Sequence, residues 1–125
     1  MHPGTFEDRE LKVGIASPLD TMARLNPVAC VRYVDALLTE LDDTMTHGAM
    51  GDASAPWVDA YRQIHALKNA VAATGCPVLI EACGSLQAGA AEGMDRSAVR
   101  SAFLDIARAT RRLILTYRDG GAGPG

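Results

Sequence analysis

The chain has 125 residues, of which 48% are hydrophobic and 22% are charged, and its formal net charge is −3. This length fits one globular domain and excludes a multidomain enzyme, because hydrophobic cores divide only at roughly twice this size. The hydrophobic content also excludes a disordered chain. The negative net charge argues against nucleic acid or an anionic membrane as a partner, since both attract an excess of Lys and Arg.

Composition favours a helical protein. Aromatic residues make up only 5% of the chain and alanine is abundant, whereas a sheet core uses β-branched and aromatic side chains. The 3 cysteines form no Cys-x-x-Cys pair, which argues against a disulfide framework or a zinc site and fits reduced, buried thiols. No segment resembles a signal peptide or a membrane span of about 20 apolar residues. We therefore expect a cytoplasmic protein without membrane insertion.

Start signals mark the first two helices. Residues 1–16 have no firm period and are interpreted as an N-terminal arm. Ser17 followed by proline is an N-cap with a first-turn proline, which predicts a short helix over about 18–25. Asn26 before proline repeats that signal and predicts a long helix over about 27–46. The apolar stripe of this second helix comprises Val28, Val31, Val34, Leu37, Leu38, Leu41 and Met45.

A loop over residues 47–55 separates the second helix from the third. The third helix is predicted to start around Pro56, after Ser54 or Ala55, and to end at Gly75.

The last two helices are predicted from the same kinds of start and end residues. Pro77 opens the fourth helix, which ends in a loop over 89–94. Asp95 or Ser97 caps the fifth helix, and residues 119–125 are expected to form a flexible, glycine-rich tail.

The predicted fold class is therefore all-α. Amphipathic helices joined by short loops predict an antiparallel four-helix bundle over residues 17–118, with the short first helix as an additional N-terminal element. The sequence contains no internal repeat and no sign of a second domain.

His65 stands out among the 3 histidines because it lies in the middle of a predicted helix. At about 100° per residue it falls beside the apolar stripe of that helix, so one ring nitrogen is expected to face solvent. Lys68 follows one turn later and can bring an ammonium group near anything attached to the ring. A boundary residue without chemistry is the alternative interpretation of His65. His47, at a predicted helix end, is interpreted as a charge that favours the helix dipole.

The surroundings of His65 resemble a known family. Residues 64–69 read Ile-His-Ala-Leu-Lys-Asn, which is similar to the phosphoacceptor motif of histidine-containing phosphotransfer (HPt) domains, usually His-x-Leu-Lys-Gly. Gly75 stands where the family has its helix-ending glycine. The following helix matches the family's leucine, small residue or Cys, leucine, and Glu or Gln at Leu79, Cys83, Leu86 and Gln87. The resemblance covers about residues 17–118.

The resemblance implies a phosphorelay intermediate of two-component signal transduction. His65 would be the phosphoacceptor, taking a phosphoryl group from a receiver-domain aspartate or a kinase and passing it to another receiver aspartate. Lys68 would stabilise the phosphoryl charge, and Gly75 would be structural. The residues implied to bind the partner are Arg62, Ala66, Asn69 and Ala72.

The same resemblance implies the partners. They would be response-regulator receiver domains or a hybrid sensor histidine kinase, with Mg²⁺ on the receiver and no cofactor or metal on this chain. We expect the protein to act as a phosphocarrier rather than as an enzyme with true turnover, and its sequence has no kinase motif. We also expect it to be a monomer.

Two positions depart from the family pattern. Asn69 stands where the family usually has glycine, and Thr74 where it has a larger apolar residue. Asparagine adds bulk about one turn from His65, although its amide can also bind phosphoryl oxygens. Two alternatives therefore stay open. One is a degenerate HPt-like helical adaptor that binds a receiver or kinase without phosphotransfer, and the other is a structural bundle with Trp57 and Tyr61 in an oligomer interface.

Overall fold

The computed structural model describes Phe6 and residues 11–46 and 56–120. Every regular element in these residues is an α-helix, which confirms the all-α prediction. The helices are α1 (Pro18–Leu25), α2 (Pro27–Thr46), α3 (Trp57–Thr74), α4 (Pro77–Ala91) and α5 (Arg96–Asp119). The predicted loop over 47–55, with His47, and the part of the predicted tail beyond residue 120 lie outside the described residues. The tail was predicted to begin at Asp119, but α5 includes that residue. The loop predicted over 89–94 likewise begins later, because α4 extends to Ala91.

Side-chain caps set the boundaries of the first helices. The Ser17 hydroxyl accepts a hydrogen bond from the Asp20 N–H at 3.1 Å, as the predicted N-cap requires. Asn26 serves two helices, because its N–H donates to the Met22 carbonyl of α1 at 2.8 Å and its side-chain oxygen accepts from the Ala29 N–H of α2 at 3.1 Å. One residue therefore ends α1 and begins α2, which fixes the angle between them.

The sequence left open which residues cap α3 and α5, and the structure identifies both. α3 begins at Trp57 with Pro56 at the N-cap position and no side-chain cap. α5 is capped by Asp95, whose carboxylate accepts from the Ser97 N–H at 3.1 Å.

Two long-range contacts give the directions of neighbouring helices. Tyr61, early in α3, donates to the Ala90 carbonyl at the end of α4, so these two helices run antiparallel. Arg111, late in α5, pairs with Asp42, late in α2, at 2.7 Å, whereas Tyr117 and Arg118 at the end of α5 lie beside the first turns of α2. The pair α2 and α5 is therefore antiparallel as well. In addition, α2 contacts α3, α4 contacts α5, α3 contacts α5, and α1 packs on both α2 and α3.

The core lies between these helices and is mainly aliphatic. Its largest fully buried side chains come from every helix and are Phe103, Leu19, Leu41, Ile64, Leu67, Leu79, Leu86, Ile114, Val71, Val99, Thr74 and Thr110. All 3 cysteines are buried and free, which agrees with the packing role expected from the sequence.

The predicted apolar stripe of α2 is wrong at its start. Val28 is 70% exposed and Val31 is 58% exposed. The buried line instead begins at Cys30, which aligns with Val34 and Leu41 at about 100° per residue. α1 covers this side of α2, since the Cys30 thiol lies 4.0 Å from the Leu19 carbonyl, and the two valines are left outside.

A polar cluster around Asp20 ties the N-terminal arm, α1 and α5 together. Its carboxylate accepts hydrogen bonds from the Ala16 N–H at 3.1 Å, from Arg24 at 2.9 Å and from the Tyr117 hydroxyl at 3.1 Å. The Ala16 bond contributes most to lowering the pKa of Asp20, and Tyr117 and Arg24 lower it further, although burial opposes them. Burial, followed by the bond to Asp20, raises the pKa of Tyr117 to about 12.

Candidate functional site on the outer face of α3

His65 lies near the middle of α3 and its side chain is exposed. Its neighbours on the opposite side of the helix, Ile64 and Leu67, are each only 1% exposed. Buried side chains beneath an exposed ring hold the helix backbone in place, so the imidazole projects into solvent from a fixed support. The expectation that His65 sits beside the apolar stripe, with access to solvent, is confirmed.

Lys68 lies one turn after His65, is exposed, and flanks it on the side of α4. Lys68 lies close enough to α4 for its charge to act on the pKa of Cys83, a residue of that helix. Burial raises the pKa of this thiol, and the positive charge of Lys68 acts in the opposite direction. Lys68 is one helical turn from His65, so its flexible side chain can turn toward an anion carried by the ring.

The four residues predicted to bind a partner occupy different parts of this surface. Asn69 and Ala72 are exposed on the same side as His65, one and two turns further along α3. Ala66 is only half-buried and points about 100° away from His65 around the helix. Arg62 is exposed, and its guanidinium lies 3.9 Å from the carboxylate of Asp59, at a separation that leaves it free to turn toward a partner.

An aromatic stack borders the site toward the start of α3, formed by two residues that the sequence suggested only for an oligomer interface. The rings of Trp57 and Tyr61 lie 5.6 Å apart and nearly parallel, and the Arg96 guanidinium lies 4.6 Å above the Trp57 ring. Tyr61 is 44% exposed and precedes His65 by one turn. Its spacing places it on the face of His65, but only the fold brings Arg96 of α5 to Trp57.

Gly75 ends α3 in the left-handed conformation, with a φ of 62°, as expected of a helix-ending glycine. The N-terminal arm passes close to it. The Gly14 N–H donates to the Thr74 carbonyl at 2.7 Å, and a Cβ on Gly75 would lie 2.6 Å from the Ser17 Cβ. Gly14 is a second glycine that this contact requires, because a Cβ there would lie 2.5 Å from the Gly75 carbonyl oxygen. No local pattern predicts this role of Gly14, because its partner is remote in the chain.

The departure at Thr74 has a structural reason. Thr74 is fully buried, and its hydroxyl donates to the Val71 carbonyl at 2.7 Å. The same oxygen accepts from the Cys76 N–H at 3.2 Å. Thr74, at a position that is usually apolar in the family, thus provides hydrogen-bond partners for backbone groups in the connection between α3 and α4.

Two further kinds of feature, a metal-binding cluster and a membrane-spanning helix, can be assessed in the part of the chain that the structure describes. It contains no group of three or more His, Cys, Asp or Glu side chains that could hold a metal ion. Nor does any described helix have the length and apolar character needed to cross a membrane.

Comparison with protein-family models, with curated proteins and with solved structures finds no match to this chain.

Proposed function

We propose that this protein is an HPt-type phosphorelay intermediate whose helices α2–α5 form a four-helix bundle with α1 packed across one end. The observation that carries the proposal is an exposed imidazole, His65, held at the centre of the outer face of a helix whose inner face is buried. An exposed lysine one turn away and the likeness of residues 64–69 to the HPt phosphoacceptor motif support it.

The nucleophile of the transfer is an imidazole nitrogen, and the donor is a phosphorylated receiver. A ring nitrogen lone pair of His65 attacks the phosphorus of an aspartyl phosphate on a receiver domain. A P–N bond forms, the P–O bond to the acyl group breaks, and the aspartate carboxylate leaves with the electron pair. The second ring nitrogen releases its proton to solvent. The attacking nitrogen must be unprotonated, because only then does it carry a lone pair.

Lys68 supplies the charge that this step requires. Phosphoryl transfer has a loose transition state, so positioning and charge stabilisation provide most of the catalysis. A lysine ammonium is a compact charge on a flexible stem, and it can follow the phosphoryl oxygens from the donor to the ring. A receiver would bring the Mg²⁺ and the acceptor carboxylate, which leaves this chain to present His65 and one cation.

The shape of the face fits a protein partner rather than a small molecule. Ala72 is exposed two turns after His65, and its short side chain leaves room for a loop of the partner. The face is convex, so a receiver must bring the concave active site to it. The protein is then a carrier that returns to its starting state only after a second receiver removes the phosphoryl group.

Labelling tests this proposal without knowledge of the cognate partner. Phosphoramidate, a small-molecule phosphoryl donor, and a panel of receivers phosphorylated with acetyl phosphate are each incubated with the wild type and with His65→Gln. We expect acid-labile, alkali-stable phosphate on the wild type and none on His65→Gln. The matched control is His47→Gln, which should be labelled like the wild type. Equal labelling of the wild type and His65→Gln would contradict the proposal.

The adaptor alternative is favoured by one residue, the exposed Asn69 in place of the family's glycine. An adaptor binds a phosphorylated receiver without accepting its phosphoryl group. The same panel separates the two functions, since an adaptor forms a stable complex with a receiver that His65→Gln does not weaken and shows no label in either variant.

A further inference from the structure

A group of apolar side chains lies on the face of α3 that carries His65, toward the start of the helix. Val58 is 52% exposed and Tyr61 is 44% exposed. They precede His65 by seven and four residues, which places both within about 40° of it around the helix. Trp57 stacks on Tyr61 and completes the group. Trp57, Val58 and Tyr61 are called here the apolar rim.

Contacts with two other helices hold the rings of the apolar rim in place. The Tyr61 hydroxyl donates to the Ala90 carbonyl at 3.2 Å, which ties its ring to the end of α4. The Arg96 guanidinium, from the start of α5, lies 4.6 Å from the centre of the Trp57 ring. A side chain that is already held loses little conformational freedom when a partner binds, so these rings offer contact area at a low entropic cost.

The face of α3 is bulky and apolar only on this side of His65. Past Lys68, the exposed residues in the other direction are Asn69 and Ala72, one polar and the other small. Tyrosine and tryptophan are enriched in protein interfaces and among the residues that contribute most binding energy there. The start of α3 therefore supplies contact area, whereas the later turns leave room for a loop of the partner.

A protein that reaches His65 also covers the apolar rim. A specific interface buries about 800 Å² of each partner, and a disc of this area centred on the imidazole has a radius of about 16 Å. At 1.5 Å per residue, Tyr61 lies about 6 Å and Val58 about 10 Å from His65 along the helix. Both side chains fall inside the area that a receiver covers when it brings its aspartate to the ring.

We infer that the apolar rim is the surface by which the protein selects its receiver, with an apolar side chain of the receiver packed against Val58 and Tyr61. The inference rests on the proposed function, because it requires a receiver at His65. Apolar contacts do not interact with the charge of the phosphoryl group, so they stabilise the docked complex and the transition state equally. The rim should therefore lower the KM for a receiver and leave the maximal rate of transfer unchanged.

A second copy of the chain would compete with a receiver for the apolar rim. An interface of the same size between two copies would cover His65 as well. A dimer through the rim and transfer from a receiver therefore exclude each other. Light scattering over a range of concentrations distinguishes them, and we expect a monomer at the concentrations used for transfer.

Two phosphoryl donors of different size test the inference. Phosphoramidate is too small to cover the rim while it reacts at His65, whereas a phosphorylated receiver covers both. The receiver used is the member of the panel that labels the wild type fastest. Transfer rates measured over a range of receiver concentrations give the KM and the maximal rate separately.

Val58→Glu and Tyr61→Ala should each raise the KM for the receiver about fivefold or more. The maximal rate and the rate of labelling by phosphoramidate should stay within about twofold of the wild type. Val58→Arg should raise the KM as well, because apolar contact is lost whichever charge replaces the valine. Circular dichroism checks that each variant keeps its fold.

Val31→Glu is the matched control for Val58→Glu. Val31 is 58% exposed, and it lines a groove with Tyr117 and Arg118 on the side of α2 that faces the end of α5. The same substitution of a similarly exposed valine, away from α3, should leave the KM for the receiver unchanged. An equal rise of the KM in both variants would mean that net charge, rather than the apolar rim, governs docking.

Three further outcomes would overturn the inference. They are a KM that Val58→Glu and Tyr61→Ala leave unchanged, a KM that Val58→Glu raises and Val58→Arg lowers, and a concentration-dependent dimer that Val58→Glu dissolves. Labelling by phosphoramidate but by no receiver of the panel would overturn it too. The proposed function fails in a different way, through equal phosphoramidate labelling of the wild type and His65→Gln.

Discussion

The outer face of α3 and the end of the same helix are built in opposite ways. On the outer face, His65, Lys68, Asn69 and Ala72 are all exposed. At the end of the helix, backbone meets backbone, and Gly75 touches the N-terminal arm so closely that no Cβ fits. One helix thus carries a surface that tolerates change and a terminus that does not.

The difference separates stability from chemistry. The packed end fixes where α3 stops and how the arm and α1 lie against it, whereas the outer face adds few contacts to the fold. Substitutions on the face should therefore change transfer with little change in the free energy of unfolding. Substitutions at the end should lower the free energy of unfolding and leave the chemistry of the folded molecule intact.

Gly75→Ala should have the largest effect on stability. Alanine at a φ of 62° is strained, and its Cβ would meet the Ser17 side chain. Together these should lower the free energy of unfolding by about 2–4 kcal/mol, as measured by urea unfolding. Well below its melting temperature, the variant should still be labelled on His65.

Gly84 provides the matched control for Gly75. It lies in the exposed middle of α4, and nothing stands within 4 Å of the position of its Cβ. Gly84→Ala should therefore stabilise the protein by about 0.5–1 kcal/mol, because alanine is the better helix former. A similar loss in both variants would show that the contact with the arm has no special importance.

Lys68→Gln should give the largest effect on chemistry short of removing His65. Loss of a charge beside the phosphoryl group should slow transfer from a phosphorylated receiver about tenfold, which corresponds to ~1.4 kcal/mol. Lys68→Arg should lose less because the charge remains. The free energy of unfolding, measured with urea, should change by less than about 0.5 kcal/mol in both variants.

Lys12, the other lysine of the chain, is the control for this charge. It is exposed on the arm, and Lys12→Gln should leave the transfer rate unchanged. A slower rate in Lys12→Gln would mean that net charge, rather than a cation beside His65, governs transfer.

The polar cluster around Asp20, which ties the N-terminal arm to α1 and α5, should respond to alkaline pH through Tyr117. Its phenol has a pKa of about 12 in the folded state, above the ordinary value of about 10. The unfolded chain therefore ionises first, and the contribution of Tyr117 to stability is complete below about pH 10 and is lost as the pH rises to about 12.

Tyr117→Phe should remove this alkaline dependence. At neutral pH it should lower the free energy of unfolding by about 0.5–1.5 kcal/mol, through loss of the hydrogen bond to Asp20. Between pH 10 and pH 12 the difference from the wild type should shrink. Stability curves of wild type and variant that stay parallel over this range would show that burial and the bond to Asp20 do not raise the pKa of the phenol in the folded state.

At acidic pH the dependence of stability on pH has the opposite sign. The pKa of Asp20 is lowered in the folded state, so its contribution is present above the ordinary carboxyl range and is lost as the pH falls through the lowered value. Asp20→Asn should flatten the acid side of the stability curve, and an unchanged acid side would contradict this assignment.

Local signals predicted the helices of this protein well. Ser17, Asn26 and Asp95 act on N–H groups within three residues of themselves. Capping by Ser17 and Asn26 was therefore predicted from the sequence, and Asp95 was one of two candidates for the cap of α5. Gly75 was likewise predicted as a helix end because a left-handed position favours glycine. The placement of His65 followed from helical periodicity, which also depends only on neighbouring residues.

Contacts between remote residues could not be predicted in this way. Gly14 meets Gly75, and Tyr117 meets Asp20, only after the helices have packed. Periodicity also assigned Val28 and Val31 to the core, because it gives a face but not the position of the covering helix. The candidate site was therefore predictable as a motif on a helix, while its border at Arg96 and the packed end of α3 depend on the fold.

Asn69→Gly should have the smallest effect, and it tests whether the outer face of α3 is as tolerant as its exposure suggests. Glycine within a helix should lower the free energy of unfolding by about 0.5 kcal/mol. If the bulk of asparagine hinders a receiver, its removal should speed transfer by about two- to tenfold, at most ~1.4 kcal/mol of relieved repulsion. Stability and transfer then move in opposite directions, a pattern that general loosening of the helix would not produce. A transfer rate unchanged across several receivers would mean that Asn69 does not hinder docking, and a slower rate would mean that its amide contacts the phosphoryl oxygens.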